Sequence, residues 1–147
     1  MRVNLDSSFL VLSAWISALQ DAHVSSASAV FASSVVARIG VANHEAIAAA
    51  KGGVEALVRS ASATYAGRGW RVNAVARGMT ETPMTETMLR NPAFREGAGR
   101  QYPLGGVQSA AQVADVMRWL LGPESARITG QIIPVDGGFT SIRPLVK

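Results

Sequence analysis

The chain has 147 residues, a formal net charge of +4 and no cysteine. This length suits a single domain over 1–147, and the lack of cysteine excludes a disulfide scaffold, a zinc ribbon and a thiol nucleophile. The basic residues are scattered, as on a solvated surface, which argues against nucleic-acid binding. No apolar stretch reaches the roughly 18 residues that a membrane helix needs.

Residues 5–19 carry apolar side chains at helical spacing, which predicts an amphipathic helix. The apolar stripe consists of Leu5, Phe9, Leu12, Ile16 and Leu19. The same segment loosely resembles a secretory signal, but Asp6 and the serines favour a helix of the folded domain. The apolar residues 29–32 predict a buried strand, and the polar stretch 33–43 predicts a loop.

A second helix is predicted over 45–65, with Asn43 as its N-cap. Its inward positions are Ile47, Ala50, Val54, Leu57, Val58 and Ala61. Gly67 and Gly69 end the helix, and a second strand is predicted over 71–76.

Residues 77–103 combine Thr, Met, Pro and Gly with weak periodicity near 84–89, which is typical of a functional loop with a short helix. Ser109 predicts the N-cap of a third long helix. That helix carries the apolar residues Val113, Met117, Leu120 and Leu121. A last strand is predicted over 131–136, and Pro134 favours an edge position because proline cannot donate to the hydrogen-bond ladder.

Strands that alternate with long helices predict an α/β fold, with a parallel sheet of about three strands and helices on both faces. Ligands of such sheets bind beyond the carboxyl ends of the strands. We therefore expect the functional residues in the segments 33–34, 77–82 and 136–138.

Five stretches of the sequence resemble a known family. They are VNLDSSF, ASSVVARIG, AAAKGGVEAL, RGWRVNAVARGMTETPM and GQIIPVDGGF. In this order and spacing, the chain resembles the C-terminal half of a short-chain dehydrogenase/reductase. The resemblance implies a partial Rossmann-type sheet, NAD or NADP as cofactor, and hydride transfer between a small-molecule alcohol and a carbonyl. It also implies a homo-oligomer that forms through helices 5–19 and 45–65.

The family's catalytic set is Asn, Ser, Tyr and Lys, with Tyr and Lys four residues apart on one helix. Asn4, Ser34 and Lys51 match three of these positions, and Ile47 occupies the position of the tyrosine. By resemblance, Ser34 orients the substrate oxygen, Lys51 holds the nicotinamide ribose, and Asn4 holds a water that links the lysine to solvent. The cofactor-binding loop, again by resemblance, comprises Gly78, Met79, Thr80 and Thr82.

The chain departs from the family pattern at three points. Ile47 has no proton to give, and loss of a general acid costs about two to four orders of magnitude in rate. The sequence contains no glycine-rich GxxxGxG turn, which binds the pyrophosphate in the family, and Arg77 stands where the family has proline. Tyr65 lies 18 residues beyond Ile47, about five turns along the helix. His44 and Glu45 are better explained as residues of the helix start than as a substitute acid.

These departures favour a truncated, catalytically impaired homologue, or pseudoenzyme. Two alternatives stay open: a subunit that is active only with an N-terminal half or partner, and a non-catalytic module for oligomerisation or binding. Met1 is then either the true start or an internal methionine of a longer protein. The strand at 29–32 would become an exposed apolar edge, so we expect an oligomer, a partner or low stability. The lack of cysteine and of a convincing export signal favours the cytoplasm.

Overall fold

The computed structural model describes residues 1–145. A single π-helical turn, Arg2–Asp6, leads into helix α1. The elements that follow are α1 (Ser7–Asp21), β1 (Ala27–Ser34), α2 (Glu45–Tyr65) and β2 (Trp70–Arg77). The second half contains β3 (Thr80–Glu81), α3 (Pro83–Leu89), α4 (Pro92–Gly99), β4 (Gln108–Ser109), α5 (Ala110–Leu121) and β5 (Ile132–Val135). None of the helices within 1–145 is long and apolar enough to cross a membrane.

The main sheet has three parallel strands in the order β1–β2–β5, which confirms the predicted architecture. β1 pairs with β2 along its whole length and ends with Ser34 opposite Arg77. β5 pairs with the carboxyl-terminal half of β2 and is an edge strand, as Pro134 predicted. The connection between β2 and β5 holds a second sheet, in which the short strands β3 and β4 are parallel.

Alternate residues of β2 face two separate cores, because successive side chains of a strand point to opposite faces. On one face, Val72, Ala74 and Ala76 pack with Leu12 of α1 and with Val58 and Ala61 of α2. On the other face, Val75 packs with Val113 and Leu120 of α5. Helices therefore cover both faces of the sheet, as predicted.

The prediction of the α2 cap was wrong. Asn43 lies in the left-handed region with φ 62°, and the N-cap is His44, whose side chain makes no capping bond. Asparagine tolerates the left-handed conformation better than most residues, so its short polar side chain indicates a turn as readily as a cap. The prediction for α5 is confirmed: Ser109 accepts the Gln112 N–H, and the Gln112 side chain accepts the Ser109 N–H.

Two further predictions need correction. Residues 33–34 belong to β1 and not to a loop, because the ladder with β2 continues past the apolar run. In α1 only Leu12 is buried, and Phe9 is 58% exposed, because the sheet and α2 cover one side of the helix alone. Leu121, at the end of α5, is also exposed.

Candidate functional site at the carboxyl edge of the sheet

Ser34 and Arg77 end neighbouring strands at the carboxyl edge of the sheet and lie opposite each other in the register. Ser34 has an extended backbone, and its hydroxyl oxygen accepts the N–H of Val36 at 3.4 Å. The preceding residue, Ser33, is buried and donates a hydrogen bond to Glu55 of α2 at 2.9 Å. Of the two serines, Ser34 is thus the one whose O–H stays available to a ligand.

Lys51 reaches the same edge from α2. Its ammonium donates a hydrogen bond to the carbonyl oxygen of Ala32 at 2.7 Å. Burial and, secondarily, the positive charge of Arg77 lower the pKa of Lys51 below its ordinary value. One helical turn earlier, Ile47 is half-buried and lies on the same side of the helix. The position beside the lysine therefore holds no group that can exchange a proton.

Asn4 lies in the π-helical turn before α1 and is half-buried. The turn sits on α2, where a Cβ built on Gly53 would lie 2.9 Å from the Leu5 methyl carbons. Within residues 1–145, the side chain of Asn4 makes no hydrogen bond to Ser34 or Lys51. The structure thus brings Ser34 and Lys51 to one edge of the sheet. It places Asn4 beside α2, with no direct hydrogen bond to either of them.

The loop after β2 is held by Tyr102, a residue that the sequence analysis missed. The Met79 N–H donates to the Tyr102 hydroxyl at 2.7 Å, and the Gly78 N–H donates to the carbonyl of Val135 at 3.0 Å. A Cβ on Gly78 would lie 2.8 Å from the Tyr102 ring, so the ring fits only against glycine. The only sequence signal for Tyr102 is its position inside the predicted functional loop.

Thr80 and Thr82 bond within the same loop. The buried Thr80 hydroxyl donates to the Gly78 carbonyl and accepts from Gln108 of β4, both at 2.9 Å. Thr82 is the N-cap of α3, and its N–H donates to the Thr85 hydroxyl at 3.0 Å. The loop that the sequence predicted to meet the cofactor is therefore shaped by its own side chains.

The two tyrosines lie at opposite ends of β2. Tyr65 stacks on Trp70, at the amino end, with ring centroids 5.8 Å apart, whereas Tyr102 reaches the carboxyl edge. Burial raises the pKa of Tyr102, the Met79 N–H opposes this effect, and the Asp136 charge adds to it. Tyr102 is therefore a neutral hydrogen-bonding group at ordinary pH and not an activated base.

The edge fits one end of a nicotinamide dinucleotide. Lys51 retains N–H groups beyond its bond to Ala32, which suits a ribose hydroxyl. A cavity of about 230 Å³ opens beside Met79 and Tyr102, but neither Lys51 nor Ser34 lines it. The other end does not fit, because the chain has no GxxxGxG turn to cradle a pyrophosphate. Nor do the described residues group His, Asp or Glu in a way that could hold a metal ion.

Relatives of known name match the sequence over most of its length. A family model described as enoyl-(acyl carrier protein) reductase matches residues 1–140. 2-(S)-hydroxypropyl-CoM dehydrogenase 3 of Xanthobacter autotrophicus is 34% identical over 146 residues, which are 97% of this chain and 56% of the relative. An inactive 2-(S)-hydroxypropyl-CoM dehydrogenase 2 of the same organism is also 34% identical, over 97% of this chain and 63% of its own. The chain spans about half the length of the curated relatives it matches.

A solved structure shows the same arrangement of helices and strands. The gluconate 5-dehydrogenase from Burkholderia cenocepacia, in complex with NADP and tartrate, has a TM-score of 0.89 and is 27% identical. The match covers 97% of this chain and 55% of that one. The fold described above thus corresponds to about half of a complete dehydrogenase chain.

Proposed function

Because the chain belongs to the short-chain dehydrogenase/reductase family, we propose that it is an NAD(P)-dependent oxidoreductase homologue that is catalytically impaired as an isolated chain. The reaction of the complete site is hydride transfer between a small alcohol and its carbonyl compound. One observation carries the proposal: Lys51 reaches the strand end that carries Ser34, while Ile47 occupies the adjacent turn of α2.

Each residue has a separate task in the carbonyl-reducing direction. The nicotinamide, when bound, supplies the hydride. Ser34 donates a hydrogen bond to the substrate oxygen and orients it, and the Lys51 ammonium binds a ribose hydroxyl. Ile47 cannot protonate the developing alkoxide, so the proton has to come from solvent. The missing general acid lowers the rate by about two to four orders of magnitude.

The cofactor's phosphates need a segment outside these 147 residues. We propose that NAD or NADP binds when a longer chain or a partner chain supplies a strand, a GxxxGxG turn and a helix. The chain spans about half of the length of the curated relatives it matches, which supports this requirement. A cytoplasmic location suits such a chain, since it has no cysteine to protect or to oxidise.

We also propose a homo-oligomer that forms through α1 and α2. A groove between the two helices is lined by Phe9 and Ile16 of α1 and by Leu57 and Tyr65 of α2, and serine and threonine side chains of the two helices share the lining. The exposed ring of Phe9 stands at this groove, which favours burial against a second copy. The same surface supports the second candidate function, a non-catalytic oligomerisation module, since that role needs neither a proton donor nor a cofactor.

The deciding experiment compares turnover with and without a phenol at position 47. The chain is fused to the N-terminal half of 2-(S)-hydroxypropyl-CoM dehydrogenase 3, and NADPH oxidation is followed with small ketones. Ile47→Tyr should raise turnover by about two to four orders of magnitude, and adding Lys51→Met should abolish the gain. If the fusion binds NADPH but Ile47→Tyr does not raise its turnover, Ile47 is not the residue that impairs catalysis. That result would favour the non-catalytic module.

A further inference from the structure

Glu55 is a buried carboxylate on α2 that has no task of its own in the proposed reaction. It lies one turn after Lys51, on the same side of the helix. A buried carboxylate is costly unless it is paired and hydrogen-bonded, and a well-packed apolar residue in place of a buried ion pair is often equally stable. The buried neighbours Val54 and Val58 are such residues. Packing alone therefore does not explain Glu55, and its role has to come from its partners.

The carboxylate of Glu55 connects three parts of the fold near the carboxyl end of β1. Its Oε1 atom accepts a hydrogen bond from the Ser33 hydroxyl at 2.9 Å and lies 3.5 Å from Nε of Arg38. Its Oε2 atom lies 3.7 Å from the guanidinium of Arg59, on the next turn of α2. Arg38 in turn donates to the carbonyl oxygen of Ile132 in β5 at 2.9 Å. Glu55 thus ties α2 to the end of β1 and, through Arg38, to β5.

Two side chains of α2 hold two successive residues of β1. Lys51 donates to the carbonyl oxygen of Ala32 at 2.7 Å, and Glu55 accepts from Ser33 at 2.9 Å. The next residue, Ser34, is the last of the strand. Ser33 is fully buried, so its hydroxyl cannot meet a ligand, and its bond to Glu55 acts on the position of the strand. The two bonds together set how the end of β1, and hence Ser34, lies against α2.

We propose that Glu55 is a positioning residue: by holding Ser33, its carboxylate fixes the end of β1 so that Ser34 and Lys51 act on one bound substrate and cofactor. This inference rests on the proposed function, which gives Ser34 and Lys51 their tasks. Misplacement of a reacting group by about 1 Å costs about a hundredfold in rate. Because Lys51 keeps its own bond to Ala32, loss of the Glu55 contact should lower turnover more than it weakens cofactor binding.

The test separates the hydrogen bond of Glu55 from its volume. Glu55→Gln keeps an oxygen that can accept the Ser33 O–H, whereas Glu55→Met keeps a similar volume without that acceptor. In the fusion that carries Ile47→Tyr, we expect Glu55→Met to lower kcat for small ketones by about tenfold to a hundredfold, with little change in the KM for NADPH. Glu55→Gln should retain most of the turnover. Asp115→Asn is the matched control, since it removes a carboxylate from an exposed ion pair with Arg118 and should change neither quantity.

Ser33→Ala removes the other half of the same hydrogen bond. If Glu55 acts through Ser33, this variant should lower kcat as Glu55→Met does, and the double variant should lose no more than either single one. Ser33→Ala places no larger side chain in the core, so it also tests the proposal if Glu55→Met does not fold.

Amide hydrogen exchange in the isolated full chain gives a readout that needs no turnover. Loss of the Glu55 contact should speed exchange at residues 33–36 and leave the amino half of β1 and α5 unchanged. Unchanged exchange in folded Ser33→Ala, faster exchange throughout the chain, or equal losses of kcat in Glu55→Gln and Glu55→Met would overturn the proposal. If the fusion has no turnover even with Ile47→Tyr, the proposed function fails, while the exchange measurement still tests whether Glu55 holds the end of β1.

Discussion

At the scale of single residues, Gly78 and Tyr102 are complementary in shape. The Tyr102 ring occupies the space where a Cβ of residue 78 would stand, at 2.8 Å, and its hydroxyl holds the Met79 N–H. A side chain at 78 would therefore disturb the loop at the edge where the cofactor is proposed to bind.

Gly78→Ala should destabilise the chain by about 1–3 kcal/mol, the usual cost of overpacking. The measurement is the free energy of unfolding in urea. Gly67→Ala is the matched control, because nothing lies within 4 Å of a Cβ at Gly67. If Gly78→Ala unfolds at the same urea concentration as the control, then Tyr102 does leave room for a side chain at position 78.

Lys51 gives the protein a pH dependence with a definite sign. Its folded pKa is below the ordinary 10.5, so the native chain releases this proton before the unfolded chain does. Stability should therefore rise with pH between the lowered pKa and 10.5, as the cost of burying the charge and, secondarily, the repulsion by Arg77 disappear. Urea unfolding across this range should show the rise in the wild type and a smaller one in Lys51→Met. Identical profiles would contradict the lowered pKa.

At the scale of elements, single residues predicted the ends of helices and the edge strand best where the residue has only one structural explanation. The Ser109 hydroxyl serves only to cap α5, and Pro134 stands in an edge strand because it cannot donate to the ladder. Asn43 was ambiguous because turns and caps both favour asparagine. Tyr102 was not predictable, since its bond to Met79 spans 23 residues and leaves no pattern in the sequence.

Ser109→Ala should cost about 1 kcal/mol of stability, because it removes the acceptor for the Gln112 N–H at the start of α5. Thermal unfolding followed by circular dichroism measures the change. Asn43→Gly is the contrasting variant: it should cost nothing, since glycine adopts the left-handed conformation freely. A larger loss of stability from Asn43→Gly than from Ser109→Ala would indicate that Asn43 is the N-cap of α2 after all.

At the scale of the whole molecule, β1 is an open edge. Beside it lies a groove of about 450 Å³, and its lining includes Val11 and Trp15 of α1, Phe31 of β1 and Met117 of α5. Both the strand edge and the groove are apolar surfaces of the kind that favours association. We therefore expect the chain to associate, or to be marginally stable when alone.

Phe9→Glu should weaken self-association, because it places a charge in the groove between α1 and α2. Leu121→Glu is the control, since Leu121 is exposed on α5, away from that groove. Sedimentation velocity over a range of concentrations measures both. If association survives Phe9→Glu, the β1 edge is favoured over the α1–α2 groove as the contact surface. A well-folded wild-type monomer at low concentration would contradict association through either surface.

We propose that the chain carries the nicotinamide and substrate side of a dehydrogenase without a glycine-rich turn for the dinucleotide phosphates. A calorimetric titration of the isolated chain with NADPH and NADH tests this most directly. We expect no binding in the micromolar range, because the sequence lacks a GxxxGxG turn. Micromolar binding of either cofactor by the isolated chain would contradict it.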